Sequence, residues 1–172
     1  MREEILLKRL RALDASAMDE MVRMYYPEIL RYCKWHAPDV YLAEDAAQET
    51  FLKAIKYFGR CGFSGKLRSF LYKIAGNTCI DLYRSKGQDY VPLEEMNTEI
   101  MYAEPGFQEA AEQIYIRELV RKLEPSTQKI VILRFGQDLK LREIADIMGM
   151  PMRTVQSKLK AALKEIKAQM ER

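Results

Sequence analysis

The chain has 172 residues, 48% of them hydrophobic, enough for one ordinary domain or two small ones around a buried core. A formal net charge of +3 is too small by itself to announce a nucleic-acid partner, and no apolar run approaches the roughly 20 residues that cross a bilayer. The charged start Met1-Arg2-Glu3-Glu4 has no signal-peptide core, and Cys33, Cys61 and Cys79 stand far apart with His36 as the sole histidine. The expectation is a cytosolic protein with reduced, mostly buried thiols, no disulfide framework, no metal and no cofactor.

Helical spacing begins at once. Ile5, Leu6 and Leu10 recur in a first helix, and from Ala17 the positions Met21, Met24, Tyr25, Ile29, Leu30 and Cys33 trace one face of a second. Asp39 to Glu44 reads as a turn and a start, with Glu44 and Asp45 at the positive end of a third helix whose inner stripe is Ala47, Thr50, Phe51, Ala54 and Phe58. The pattern breaks at Gly59-Arg60-Cys61-Gly62-Phe63-Ser64-Gly65-Lys66, a loop with three glycines and two basic residues. A fourth helix follows, carrying Phe70, Leu71, Ile74, Ala75, Thr78 and Leu82.

Charge is distributed unevenly along this frame. Residues 51–86 hold 8 basic and 1 acidic side chains, residues 87–112 hold 0 and 7, and residues 125–172 hold 10 and 5. The first basic block interleaves Lys53, Lys56, Arg60, Lys66, Arg68, Lys73, Arg84 and Lys86 with Phe51, Tyr57, Phe58, Phe63, Phe70, Tyr72 and Tyr83. Basic groups attract a phosphate backbone and aromatic faces stack on unpaired bases. By spacing, Phe51, Phe58 and Phe70 belong to the core, while Phe63 and Tyr72 are the aromatics expected in solvent. Asn77, a short amide inside a helix, weakens that helix unless its donor and acceptor are used, either between helices or on a ligand.

Residues 87–106 contain Gly87, Pro92, Pro105 and Gly106 among many acids and read as a flexible acidic linker. Helical patterning resumes from Phe107 through Leu123. Pro125 then suits the first turn of another helix, with Ile130, Val131, Leu133 and Phe135 on its core side. From Leu139 to Leu159 the chain has the grammar of a helix-turn-helix. Ile144, Ala145 and Met148 share a face, Gly149 permits the turn, and Val155, Leu159, Leu163, Ile166 and Met170 form the buried stripe of the second helix. The other side of that helix carries Arg153, Thr154, Gln156, Ser157, Lys158, Lys160 and Lys164 with no acid before Glu165, as a helix entering a major groove requires. The expected fold is all-α: two small helical domains, residues 1–86 and 107–172, joined by the linker, the second domain a helix-turn-helix.

Two stretches carry a family resemblance. Ala43-Glu44-Asp45-Ala46-Ala47-Gln48-Glu49-Thr50-Phe51-Leu52-Lys53-Ala54, followed by Ser69 to Asp81, resembles region 2 of bacterial sigma factors of the extracytoplasmic-function class, and Glu124-Pro125 through Ile166 resembles their region 4. The resemblance implies that Asp45, Gln48, Glu49 and Leu52 dock on the coiled coil of the largest subunits of core RNA polymerase. It implies that Phe63, Lys66, Arg68, Tyr72, Lys73, Asn77 and Arg84 capture the melted −10 element of promoter DNA, and that Arg153, Thr154, Gln156, Ser157, Lys158 and Lys160 read the −35 element. Regions 1.1 and 3 would be missing, and an anti-sigma factor, often membrane-anchored, is a further implied partner. Relatives often carry arginine where Gln156 and Ala161 stand, so bidentate guanine contacts do not carry over at these positions. A stand-alone helix-turn-helix regulator is the rival within DNA binding, but it leaves the basic and aromatic segment unexplained. An enzyme is disfavoured: Glu44, Asp45, Gln48 and Glu49 read as a solvated first turn, and no nucleophile triad or phosphate loop accompanies them.

Overall fold

The computed structural model describes residues 2–37, 39–60, 66–85 and 107–171, without the side chains of residues 59, 83–85 and 107–113. All the regular structure among them is helical, and the chain divides into two compact units, residues 1–90 and 91–172.

The first unit comprises α1 (Arg2–Arg11), α2 (Ala15–His36), α3 (Val40–Arg60) and α4 (Leu67–Ser85). Helices α2, α3 and α4 pack on one another, with α1 laid against α2 and α3. The expected inner stripe of α3 is buried in full, from Ala47 to Phe58. Buried in the same unit are Met21, Ile29 and Cys33 of α2 and Leu71, Ala75 and Cys79 of α4; each large apolar side chain removed from water here contributes about 1.5–3 kcal/mol. Cys33 and Cys79 are free, buried thiols, while Cys61 lies outside the described residues. Helix α3 starts at Val40, earlier than Glu44, because the Asp39 carboxylate accepts the Leu42 amide at 2.8 Å and caps the first turn. Ile5 and Met24, expected inside, are exposed; Leu7 takes the inward position on α1. Arg9 ties α1 to α2, donating to Asp14 at 3.0 Å, Glu20 at 2.9 Å and Ser16 at 2.7 Å. Hydrogen bonds from Ser16 and then Arg9 hold the Asp14 carboxyl at about 2, well below the usual carboxylate range.

The second unit comprises α5 (Phe107–Arg121), α6 (Pro125–Val131), a single π turn (Ile132–Gly136), α7 (Leu141–Met148) and α8 (Met152–Met170). Its core is Leu119, Val120, Ile130, Leu133, Leu139, Ile144, Val155 and Leu159. Phe135 was expected on the core side but is 59% exposed. The π turn inserts a residue between the Ile132 carbonyl and the Gln137 amide, 3.1 Å apart, and so rotates Phe135 off the α-helical stripe. Leu163 and Met170 also depart from expectation: both are exposed, while Ile166 between them is half-buried, and Ala162 is the last fully buried side chain of α8.

Gly149 closes α7 at φ 63°, ψ 34°, with its own amide and that of Met150 returned to the last carbonyls of the helix. Nothing lies within 4 Å of where a Cβ would sit, so Gly149→Ala meets only the backbone penalty of the left-handed conformation, about 1–2 kcal/mol. That loss should appear in urea unfolding followed by circular dichroism. Unchanged circular-dichroism unfolding would refute the assigned strain.

Candidate functional site

Burying Ala46, Ala47, Thr50 and Ala54 inside leaves Asp45, Gln48 and Leu52 exposed and Glu49 half-buried on the outer side of α3. Their spacing of three and four residues puts them in one row about 10 Å long. Leu52 is 53% exposed, an apolar end to a polar row. Thr50 shows why the inner face tolerates a hydroxyl: it donates to the Ala46 carbonyl at 2.7 Å. Tyr41, one turn ahead of Asp45, was not singled out from the sequence, although a step of four residues could have flagged it.

On α4 the basic and aromatic residues separate by face. Lys66, just ahead of α4, and Lys73 and Asn77 on it are exposed, the latter two one turn apart. Tyr72 is corrected: it is 1% exposed and cannot stack on a base. Its ring meets Tyr32 edge-on with centroids 5.2 Å apart, and its hydroxyl donates to Glu28 Oε2 at 2.7 Å, which lets a polar aromatic sit in the core. The same oxygen accepts from Arg68 Nε at 3.0 Å, with Arg68 Nη2 at 2.9 Å. Arg68 is therefore half-buried and ion-paired to α2, and its charge is partly spent within the protein. Glu28, the anchor of both, was missed because nothing in its sequence neighbourhood marks it. Lys53 is likewise turned to α4, donating to Thr78 Oγ1 at 3.2 Å. Phe51 and Phe58 are buried as expected, whereas Phe70 is half-buried against Tyr57 and Phe58, at 4.8 and 5.6 Å between centroids. Phe63 and the side chain of Arg84 lie outside the described residues.

In the second unit, burial of Val155, Leu159 and Ala162 turns Arg153, Gln156, Ser157 and Lys160 outward as one exposed, acid-free stripe, with Thr154 half-buried at its border. Met152, 44% exposed at the start of α8, adjoins this stripe and was not anticipated. Lys158 stands apart. Its ammonium donates to Ser126 Oγ at 2.8 Å and lies 3.4 Å from Glu124 Oε2, joining α8 to the start of α6. Glu124 caps α6, and hydrogen bonds from the Ser126 and Thr127 hydroxyls and the Ser126 amide, helped by the charge of Lys158, hold its carboxyl at about 2. An α-helix with one exposed basic and amide-bearing face, set after a glycine turn, has the shape and charge to enter a major groove.

Among the described residues no group of three His, Cys, Asp or Glu side chains is placed to hold a metal ion, and no helix is long and apolar enough to cross a membrane.

Comparison with known proteins agrees in both halves. Residues 21–88 match the family profile Sigma-70 region 2, and residues 113–166 match Sigma-70, region 4. The chain is 32% identical over 162 residues to RNA polymerase sigma factor YlaC of Bacillus subtilis, covering 90% of this chain and 92% of that one. It is 27% identical over 176 residues to the ECF RNA polymerase sigma factor SigW of the same organism, covering 95% and 94%. In fold it resembles the sigma factor RpoE of Bartonella quintana, solved in complex with the anti-sigma factor NepR: TM-score 0.62, 15% identity, 89% of this chain and 96% of that one. Two regions matched in order on one chain, with similarity over nearly its full length to named sigma factors, place this protein in the sigma-70 family, in its extracytoplasmic-function class.

Proposed function

We infer a division of labour among three surfaces: the α3 row of Asp45, Gln48, Glu49 and Leu52 docks on core RNA polymerase, the Lys66, Lys73 and Asn77 side of α4 faces the −10 element, and the α8 stripe enters the major groove of the −35 element. As a sigma factor the chain directs promoter-specific transcription initiation with RNA polymerase. Strand opening follows from capture of unpaired bases, and the protein catalyses no reaction itself. Phe63, Arg68 and Arg84 belong to the −10 set through their place in the basic segment, although Arg68 must first leave Glu28 to meet a phosphate. In the −35 set are Arg153, Thr154, Gln156, Ser157 and Lys160; Lys158 is omitted because its ammonium serves the contact between α6 and α8. Residues 87–106, which lie outside the described residues, join the two regions in sequence.

The observation that carries this reading is the opposition of faces on α3 and α8, each with a continuous buried stripe behind a chemically distinct exposed one: acidic on α3, basic on α8. The place of action is the cytoplasm, with the polymerase. An anti-sigma factor is a further partner, in keeping with the complex in which the Bartonella protein of similar fold was crystallised. Co-purification tests the first step: the tagged full-length chain should retain core RNA polymerase subunits through a salt wash, and their absence would count against the reading.

A further inference from the structure

We propose that Tyr41 extends the polymerase-docking surface, its ring seating in an apolar recess of the core enzyme one helical turn beyond the contact made by Asp45. This rests on the assignment of the α3 row to core polymerase. Tyr41 is 74% exposed, more than any other large apolar side chain among the described residues. It is not a fraying end: Asp39 caps α3 ahead of it through the Leu42 amide at 2.8 Å, so its backbone is fixed in the first helical turn. Positions 41, 45, 48 and 52 recur every three or four residues and form one row about 16 Å long. Large apolar side chains, Tyr41 and Leu52 at 53% exposure, stand at its two ends, and the acid and amide lie between.

Charge selects the occupant. From residue 40 to residue 52 there are three acids, Glu44, Asp45 and Glu49, and no lysine or arginine; the first exposed base at the same spacing is Lys56, one turn beyond Leu52, so a phosphate backbone is disfavoured from Tyr41 to Leu52. A second copy of this chain meeting the same row would oppose acid to acid, at a cost. A protein surface with basic groups between apolar recesses fits, and a rigid tyrosine with few rotors to freeze is the residue type that anchors such a contact.

The test is the affinity of the full-length protein for core RNA polymerase, measured by biolayer interferometry without DNA. Tyr41→Ala and Tyr41→Gln should each weaken binding about tenfold or more, the scale of an interface anchor. Tyr41→Phe should stay near the parent, and all three should melt like the parent because the side chain supports no core. If the alanine and glutamine variants bind as the parent does while D45K/E49K does not, Tyr41 lies outside the docking surface and the row assignment stands. If D45K/E49K also binds as the parent does, the row assignment fails and takes this inference with it. Parental affinity for core combined with lost promoter transcription in the Tyr41 variants would assign the ring to DNA and overturn the proposal.

Discussion

Reversing two charges on α3, as D45K/E49K, should abolish co-elution with core RNA polymerase while the protein remains folded. Both side chains sit on the outer row of α3, exposed and half-buried respectively, and neither belongs to the core shared with α2 and α4. Placing two cations where a partner is arranged for two anions replaces attraction with repulsion, and like-charge juxtaposition at an interface costs several kcal/mol. About 3 kcal/mol already lowers affinity more than a hundredfold. Surface substitutions away from the core usually change stability by no more than about 0.5 kcal/mol, so the thermal melt should barely move. Gel filtration of the variant with core enzyme reads the effect, and a doubly reversed protein that still co-elutes would reduce the row to solvated surface.

The second large effect separates strand capture from duplex reading. Replacing Asn77 and Phe63 with alanine removes an exposed amide of α4 and an aromatic of the basic segment ahead of it in sequence; stacking by one aromatic is worth about 1–3 kcal/mol. Replacing Gln156 and Lys160 removes two members of the α8 stripe, where one good bidentate base contact is worth a similar amount, about 1–3 kcal/mol. Equal energies should thus be lost at different steps. The Asn77 and Phe63 variant should bind closed promoter but open it roughly ten times less well or worse, whatever the −35 sequence. The Gln156 and Lys160 variant should open normally once bound but change its −35 preference, with Lys160 lowering the salt slope if it meets a phosphate. Permanganate reactivity of the −10 region distinguishes the two. Parental opening by the Asn77 and Phe63 variant would remove that segment from base capture.

What the sequence disclosed followed from periodicity. The inner stripe of α3 and the opposed faces of α8 from Arg153 to Lys160 were visible because residues three and four apart share a helix face, with no long-range information needed. The misreadings have separate physical causes. Tyr72 looked like a stacking platform because basic residues surround it in sequence, yet Glu28, 44 residues earlier, accepts its hydroxyl and makes its burial affordable. Arg68 looked free for the same reason and is paired to the same carboxylate. Phe135 was placed by a spacing of 3.6 residues per turn that the π turn at Ile132–Gly136 does not keep. Asp39 was read as part of a turn although its carboxylate caps α3, and with that start Tyr41 joins the row. Periodicity finds faces, and it cannot say which distant partner satisfies a polar group or how far along a helix its stripe stays covered, as exposed Leu163 and Met170 of α8 show.

Run-off transcription with core RNA polymerase on genomic fragments tests the central claim most directly, since it requires docking, two-part promoter reading and strand opening in one reaction. Core enzyme supplemented with the full-length chain should yield discrete transcripts from promoters sharing a −10 and a −35 element, none of them made by core alone. The free protein should shift the same duplexes only weakly at physiological salt, because each unit offers a modest basic face. Transcripts no different from those of core alone, together with nanomolar duplex binding by the free protein, would contradict the account and describe a stand-alone regulator instead.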